Sequence, residues 1–463
     1  MHGGTTFVPY DNRLKNLVEF RMTKNTVIAW SFVVALGGFL FGFDTAVISG
    51  AEKAIQVHWN LSEVQHGVTM AIALLGTVAG ALLGAYPSDR FGRKRTLFLI
   101  AILYFFSALG TALAHDWSVF ILFRFLGGIG VGVSSVTAPI YISEISPANK
   151  RGRLVGLFQF NVVLGILVSY LSNYLIGQGG ENAWRWMLGV QAFPALLFYI
   201  LIHFVPESPR WLLLHRKNRD TAMQVLKKIN PLHYLDELEA ILASVKAEKE
   251  NGGTTSLFSK KYRFPVFLAI IFAVFNQVSG INAIIYYAPR VFEMAGLGAQ
   301  SSLLSTVGIG LVNFSFTLIA INVIDKVGRR KLMLIGSFGL IAALGFVSHS
   351  FYSAAPNGLA VTAYLMVYIA FFAFSQGAVI WVFIAEIFPN EVRAKGQTLG
   401  SLTHWVMAAI ITFFFPMLSE WAGGGTTFLI FAGFMVLQLI FVWKVMPETK
   451  GKSLEQIGGH MMH

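Results

Sequence analysis

Asp89-Arg-Phe-Gly-Arg-Lys-Arg95 returns 236 residues later as Asp325-Lys-Val-Gly-Arg-Arg-Lys331. Two further features repeat at almost the same offset. Glu144, seven residues before Arg151, returns as Glu386, seven before Arg393; Pro206-Glu207 returns as Pro447-Glu448. Basic loops alone would repeat Arg and Lys, but not their acidic companions at fixed spacing. The chain therefore reads as two duplicated halves.

Composition says where those halves sit. Of 463 residues, 55% are hydrophobic and only 13% charged, with 41 Phe and 45 Gly. A soluble domain averages about 25% charged. With a mean hydropathy of +0.63, this much apolar surface fits only an integral membrane protein. The chain has no cysteine, which excludes a disulfide scaffold, thiol catalysis and thiolate metal sites. Apolar runs of about 18–25 residues predict twelve membrane helices near 27–50, 65–87, 96–114, 118–142, 153–177 and 185–205, then 263–292, 302–324, 331–352, 361–387, 396–418 and 425–446. The expected fold is an all-α membrane protein of two pseudo-symmetric six-helix bundles. The first 26 residues lack a signal-peptide core and cleavage site.

The net charge of +12 follows this topology. Lys and Arg concentrate in the N-terminus, in the loops after helices 2, 4, 8 and 10, in the central segment and at the C-terminus; Lys53, Arg185 and Arg290 fall on the other side. The positive-inside rule puts both termini and the central loop in the cytoplasm. The charge then serves topology and anionic lipid, and nucleic acid is not an expected partner. The organisation expected is a cytoplasmic N-terminus (1–26), a bundle (27–205), a cytoplasmic helical linker (206–262), a second bundle (263–446) and a cytoplasmic C-terminus (447–463). In the linker, Leu235, Leu238, Leu242 and Val245 follow helical spacing and predict a packed apolar stripe.

Parallel six-helix repeats are a mark of transporters, with the substrate site at mid-membrane between them. The repeated carboxylates Asp89, Asp325, Glu144 and Glu386 need partners at a membrane edge. Arg93, Arg151, Arg329 and Arg393 are the nearest. A lattice of such pairs would hold the halves together on the cytoplasmic side and break when that side opens. Static capping and anchoring is the plainer alternative.

At this point the sequence resembles a known family. Gly37-Gly-Phe-Leu-Phe-Gly-Phe-Asp44-Thr-Ala-Val-Ile-Ser-Gly50, Arg124-Phe-Leu-Gly-Gly-Ile-Gly-Val-Gly132, Pro206-Glu-Ser-Pro-Arg-Trp-Leu212 and Pro447-Glu-Thr-Lys-Gly-Lys452 are similar, in this order, to the signatures of the sugar porters. That family is a branch of the major facilitator superfamily. The likeness runs from about residue 27 to 457. It implies sugar transport by alternating access.

Asp44 and Arg124 are the charged residues expected well inside spans, each costing about 2.5–3.5 kcal/mol at a helix centre. They suggest a proton switch: deprotonated Asp44 pairs with Arg124, and protonation frees helix 1. A constitutive ion pair is the alternative. Gly128 and Gly132 give the Arg124 helix a smooth face for close approach. The resemblance implies coupling, since proton-coupled members carry Asp at the position of Asp44 and animal facilitators carry Asn.

Sugar recognition needs neutral amides and aromatic faces. Within spans lie Gln159, Asn276, Gln277, Asn282 and Asn313, with Phe41, Trp381 and Trp405 as aromatic surface. Gln277 and Asn282 are five apart, about 140° around a helix, so they converge only if the helix breaks near Gly280. Tyr286, one turn beyond Asn282, and Tyr287 are placed to close the external side. Taken singly, any of these amides would as readily link helices. The resemblance carries sugar contact onto Gln159, Gln277, Asn282, Asn313 and Trp381, and cavity lining onto Phe372 and Gly377.

Three positions depart from the family pattern. Asn276 replaces the first of two glutamines, leaving a longer or water-filled gap. Ile166 stands where xylose symporters carry glutamine and glucose facilitators isoleucine, which leans towards a hexose. His404 replaces an amide; contact with sugar, titration near neutral pH and plain helix packing are its three readings. Gly377-Ala378 also replaces the common Gly-Pro, which makes a kink in helix 10 doubtful.

No phosphate-cradling loop, HExxH or G-x-S-x-G motif occurs, so neither ATP drive nor enzyme activity has support. His460 and His463 are too sparse for a metal site, and no cofactor is expected. The partners expected are a monosaccharide, protons and the lipid bilayer, with the monomer as functional unit and a bacterial inner membrane as location. The alternatives are a proton-independent uniporter and, from another class, a membrane sugar sensor.

Overall fold

The computed structural model describes residues 10–147, 150–250, 256–353, 355–389 and 391–450, with side chains from 26 onward except 245–250. Arg13, Lys15, Arg21, Lys24, Val245, Lys452, His460 and His463 lie outside those described side chains.

Among the described residues the protein is all-helical, with eleven helices long and apolar enough to cross a membrane. The last of them, Arg393–Lys444, has 52 residues and holds two passes turned at Gly423, where φ is +74°. That makes twelve passes. In chain order they are α1 (Thr26–His58), α2 (Glu63–Leu83), α3 (Arg93–Leu113), α4 (Trp117–Ile145), α5 (Arg151–Ile176), α6 (Ala183–Ile202), α7 (Lys260–Met294), α8 (Ala299–Val327), α9 (Arg329–Tyr352), α10 (Gly358–Glu386) and then α11 and α12 within Arg393–Lys444. They form two six-helix bundles. The bundles meet where α1 packs on α7, α2 on α11 and α5 on α8. Gly128 and Gly132 do give α4 a smooth face, and it is α2 that uses it: a Cβ at Gly128 would come within 2.0 Å of the Ala73 carbonyl.

Sequence periodicity misplaced several details. α1 runs on to His58 rather than 50, which carries Glu52 into the first pass. α10 is broken at Ser375 (φ −115°, ψ −88°) despite the missing proline. Ser375 Oγ instead donates to the Phe371 carbonyl at 2.6 Å. In the linker, Leu238 is buried but Leu235 and Leu242 are 50% and 39% exposed. The packed face belongs to the helix before it, Arg219–Ile229, through Ala222, Val225, Leu226 and Ile229. Apolar spacing shows that a stripe exists, and not what covers it.

Candidate functional site

Asp44 and Arg124 meet inside the first bundle. Arg124 Nη1 donates to Asp44 Oδ1 at 2.9 Å, and both side chains are buried. Nε and Nη2 of Arg124 have no hydrogen-bond partner among the described residues. A buried ion pair survives only if attraction offsets desolvation, and here two donors remain unsatisfied. Tyr104 of α3 and Tyr286 of α7 lie within electrostatic reach of Asp44.

Next to this pair a cavity opens between the bundles, lined by Phe41, Gln159 and Ile166 on one side and Asn276, Gln277 and Asn282 on the other. Asn313, Phe372, Gly377, Trp381, His404 and Trp405 complete it. Local backbone explains the convergence. α7 breaks into Arg263–Val278 and Ile281–Met294 around Gly280, whose φ is +89°. A Cβ there would meet the Phe431 ring at 2.6 Å, so only glycine fits. Across the break Asn282 Nδ2 donates to Gln277 Oε1 at 2.6 Å. Gln277 Nε2 in turn donates to Asn276 Oδ1 at 2.8 Å. The His404 ring accepts from the same Nε2 at 3.2 Å, and packs against Trp381 and Trp405 at centroid distances of 4.7 and 4.9 Å. Phe41 lies 5.5 Å from Trp405 across the bundle interface. The result is a chain of neutral amides under an aromatic wall, the chemistry that polyhydroxylated rings require.

On the face away from the basic loops the bundles are closed over this cavity. Tyr286 and Tyr287 are fully buried, and Tyr287 Oη donates to the Thr412 carbonyl at 2.9 Å. Tyr170 of α5 donates to the Ile285 carbonyl of α7 at 2.9 Å. Lys53 pairs with Glu293, and Arg290 with Glu52 at 3.0 Å, both across the bundle interface.

At the basic face the pairing differs from the expected lattice. Arg93 grips Glu144 with two bonds of 2.9 and 3.0 Å and also holds Asp89 at 2.9 Å. Arg329 holds Glu386 at 2.7 Å and Asp325 at 2.9 Å. All four carboxylates are thus held within their own bundle. Arg151 and Arg393 donate to the carbonyls of Ser143 and Phe388, at 3.0 and 3.2 Å, rather than to Glu144 and Glu386. A guanidinium across a short turn reaches backbone more readily than a carboxylate already taken by a two-pronged arginine.

The repeated Pro-Glu pairs have a structural purpose that their spacing only hinted at. Glu207 accepts the backbone N–H groups of Arg93 and Lys94, first-turn donors of α3 with no partner within the helix, at 2.9 and 3.1 Å. Glu448 does the same for Arg329 and Arg330 at the start of α9, at 3.0 and 3.1 Å. Burial pushes the Glu207 carboxyl up, and those N–H bonds pull it back. Gly92 and Gly328, at φ +100° and +102°, leave room for these carboxylates. The sequence reading did not pick out Glu52, His66 and Arg290 as a cluster. His66 Nε2 lies 2.8 Å from Glu52 Oε2, and both side chains are buried. The signal available was Glu52 only two residues past the predicted end of α1.

Comparison with known proteins agrees with this geometry. The sequence profile of the family described as "Sugar (and other) transporter" matches residues 30–459. The D-xylose-proton symporter of Escherichia coli K12 is 36% identical, over 93% of this chain and 95% of that protein. The arabinose-proton symporter of Bacillus subtilis is 38% identical, over 93% and 94%. The inward-open structure of the E. coli xylose transporter superposes with a TM-score of 0.83 at 34% identity, covering 94% of this chain and 100% of that one. With the duplicated bundles, the amide-lined cavity and these likenesses together, the chain belongs to the sugar transporter family, as an integral membrane protein and not an enzyme.

Proposed function

We propose that this protein is a monosaccharide–proton symporter that works by alternating access in a bacterial inner membrane, as a monomer with both termini cytoplasmic. The bundles 27–205 and 263–446 rock about the sugar site, and the segment 206–262 with 447–463 lies on the cytoplasmic side. The observation that carries this reading is the buried Asp44–Arg124 pair beside a cavity of neutral amides. The xylose– and arabinose–proton relatives support the substrate class and the coupling ion.

In this reading Gln277, Asn282, Asn276, Gln159 and Asn313 exchange their mutual hydrogen bonds for sugar hydroxyls. Trp381, Trp405 and Phe41 cover the ring's C–H surface. Ile166, Phe372 and Gly377 shape the wall, and His404 fixes the Gln277 amide. A proton on Asp44 neutralises the carboxylate and releases Arg124, so α1 moves relative to α4. Tyr286 and Tyr287 act as the external gate. The pairs of Arg93 and Arg329 with Asp89, Glu144, Asp325 and Glu386, and the carbonyl bonds of Arg151 and Arg393, act on the internal side. The closed contacts of Tyr286, Tyr287 and Tyr170 support a state in which the cavity has no external access. One charge across 100 mV is worth about 2.3 kcal/mol, or roughly fifty-fold accumulation.

The test is uptake of labelled glucose, galactose and xylose into proteoliposomes, with and without an inward proton gradient. Wild type should accumulate one of them, and Asp44→Asn should exchange it without accumulation. Equilibration indifferent to the gradient in both proteins would make this a uniporter. Binding without flux would make it a sensor.

A further inference from the structure

Glu52, His66 and Arg290 form a second buried ionisable cluster that the sugar and Asp44 do not use. It joins three helices from both bundles: Glu52 on α1, His66 on α2 and Arg290 on α7. Arg290 Nε donates to Glu52 Oε1 at 3.0 Å, and Nη2 lies 3.0 Å from Oε2. With the carboxylate taken by a guanidinium, His66 Nε2 is the donor to Oε2 at 2.8 Å. Its Nδ1 is buried with no hydrogen-bond partner among the described residues. The other charged or titratable groups facing the cluster are Lys53 of α1, Glu63 of α2, and Tyr287 and Glu293 of α7. Lys53 and Glu293 pair with each other. Glu63 accepts from Gln56, and α11 brings the uncharged Thr412 and Phe415.

Charge bookkeeping then constrains the motion. In the closed state Glu52 is neutralised by Arg290, and His66 can stay uncharged. Opening the external side separates α7 from α1 and α2, which removes Arg290 from Glu52. His66 stays, because it sits on the same bundle as Glu52. A carboxylate in that setting regains a counter-charge most directly if its imidazole neighbour takes a proton. We propose that Glu52–His66 is a second proton-binding site, in which His66 Nδ1 takes one proton from the external solution as Arg290 leaves Glu52. No bond other than N–H forms, and the proton returns to the external side on closure. Acidity outside therefore favours the outward-open state, independently of Asp44. This rests on the alternating-access reading above.

The absence of native cysteine makes the test clean. Val57 and Ser301, exposed near the external ends of α1 and α8, are replaced by Cys and spin-labelled in an Asp44→Asn background in lipid nanodiscs. The distance distribution is read between pH 8 and 5.5. The open-to-closed ratio should rise on acidification, by at most about tenfold per pH unit, the limit for one proton. His66→Gln keeps a hydrogen-bond donor but takes no proton, and should abolish the pH dependence. Arg290→Gln, an independent variant, should abolish it as well, because Glu52 then needs the proton in both states. A pH response that survives in a folded His66→Gln or Arg290→Gln protein overturns the proposal. So does a distance that responds to sugar but not to pH. A distance fixed under every condition would overturn the transport reading together with this one.

Discussion

The two bundles carry the same frame at the basic face and opposite chemistry at mid-membrane. Arg93, Glu144 and Glu207 in the first bundle are matched by Arg329, Glu386 and Glu448 in the second, down to the backbone N–H groups that each Pro-Glu glutamate caps. Deeper in the membrane the likeness ends. In the first bundle α1, α4 and α5 run unbroken, and α1 and α4 hold an ion pair. In the second, α7 breaks at Gly280 and α10 at Ser375, and the polar groups are amides. The physical demands differ. A buried charge is tolerated when rigid neighbours keep its partner in place. A neutral ligand is held and released by groups that can trade hydrogen bonds at little cost, on backbone that can move.

The largest expected effect tests the charged side. Arg124→Gln leaves Asp44 buried without its partner and should cost about 3–5 kcal/mol of stability, read as a lowered melting midpoint in detergent. Adding Asp44→Asn to it should restore most of that loss. If the double variant melts as early as the single one, the pair is not an electrostatic unit.

Gln277→Ala should spare the fold and weaken sugar binding. It removes a side chain bonded to Asn276, Asn282 and His404, at about 2–3 kcal/mol, or roughly thirty- to hundred-fold in Kd. Calorimetry on purified protein measures it. An equal loss from a first-bundle change such as Ile166→Ala would blur the contrast between the bundles.

Gly280→Ala imposes a Cβ at φ +89° against Phe431, with strain of about 1–3 kcal/mol. The expected result is slowed transport with little change in binding, measured by comparing counterflow rate with Kd.

The smallest effect sharpens the shared frame. Arg93→Lys and Arg329→Lys each lose a two-pronged grip on glutamate and should slow transport by similar factors, below about tenfold. Markedly unequal factors would mean that the duplicated loops no longer do equivalent work.

Much of the fold was legible because membrane insertion writes itself into composition. Twelve apolar runs, and basic loops at one face, were visible without coordinates. The break in α7 was legible too, since Gln277 and Asn282 cannot meet on a regular helix. The break in α10 was not, because Ala378 stands where a proline commonly announces one. Nor could spacing choose among the arginines near Glu144: Arg151 is close in sequence, yet Arg93, 51 residues away, holds it. The Glu52–His66–Arg290 cluster was missed because the span was ended too early, and because its members lie 14 and 238 residues from Glu52.

By itself the sequence determined the membrane class, the duplication, the depth of Asp44 and Arg124 in their helices and the set of amides available for a sugar. Hydrophobic length, loop charge and residue identity are local properties, and they survive in one dimension. Which guanidinium takes which carboxylate, which bundle a pair belongs to, and which face of the cavity is closed were decided only in three dimensions. Those outcomes depend on how helices far apart in the chain come within about 3 Å, and on competition among partners for the same carboxylate, which no spacing records.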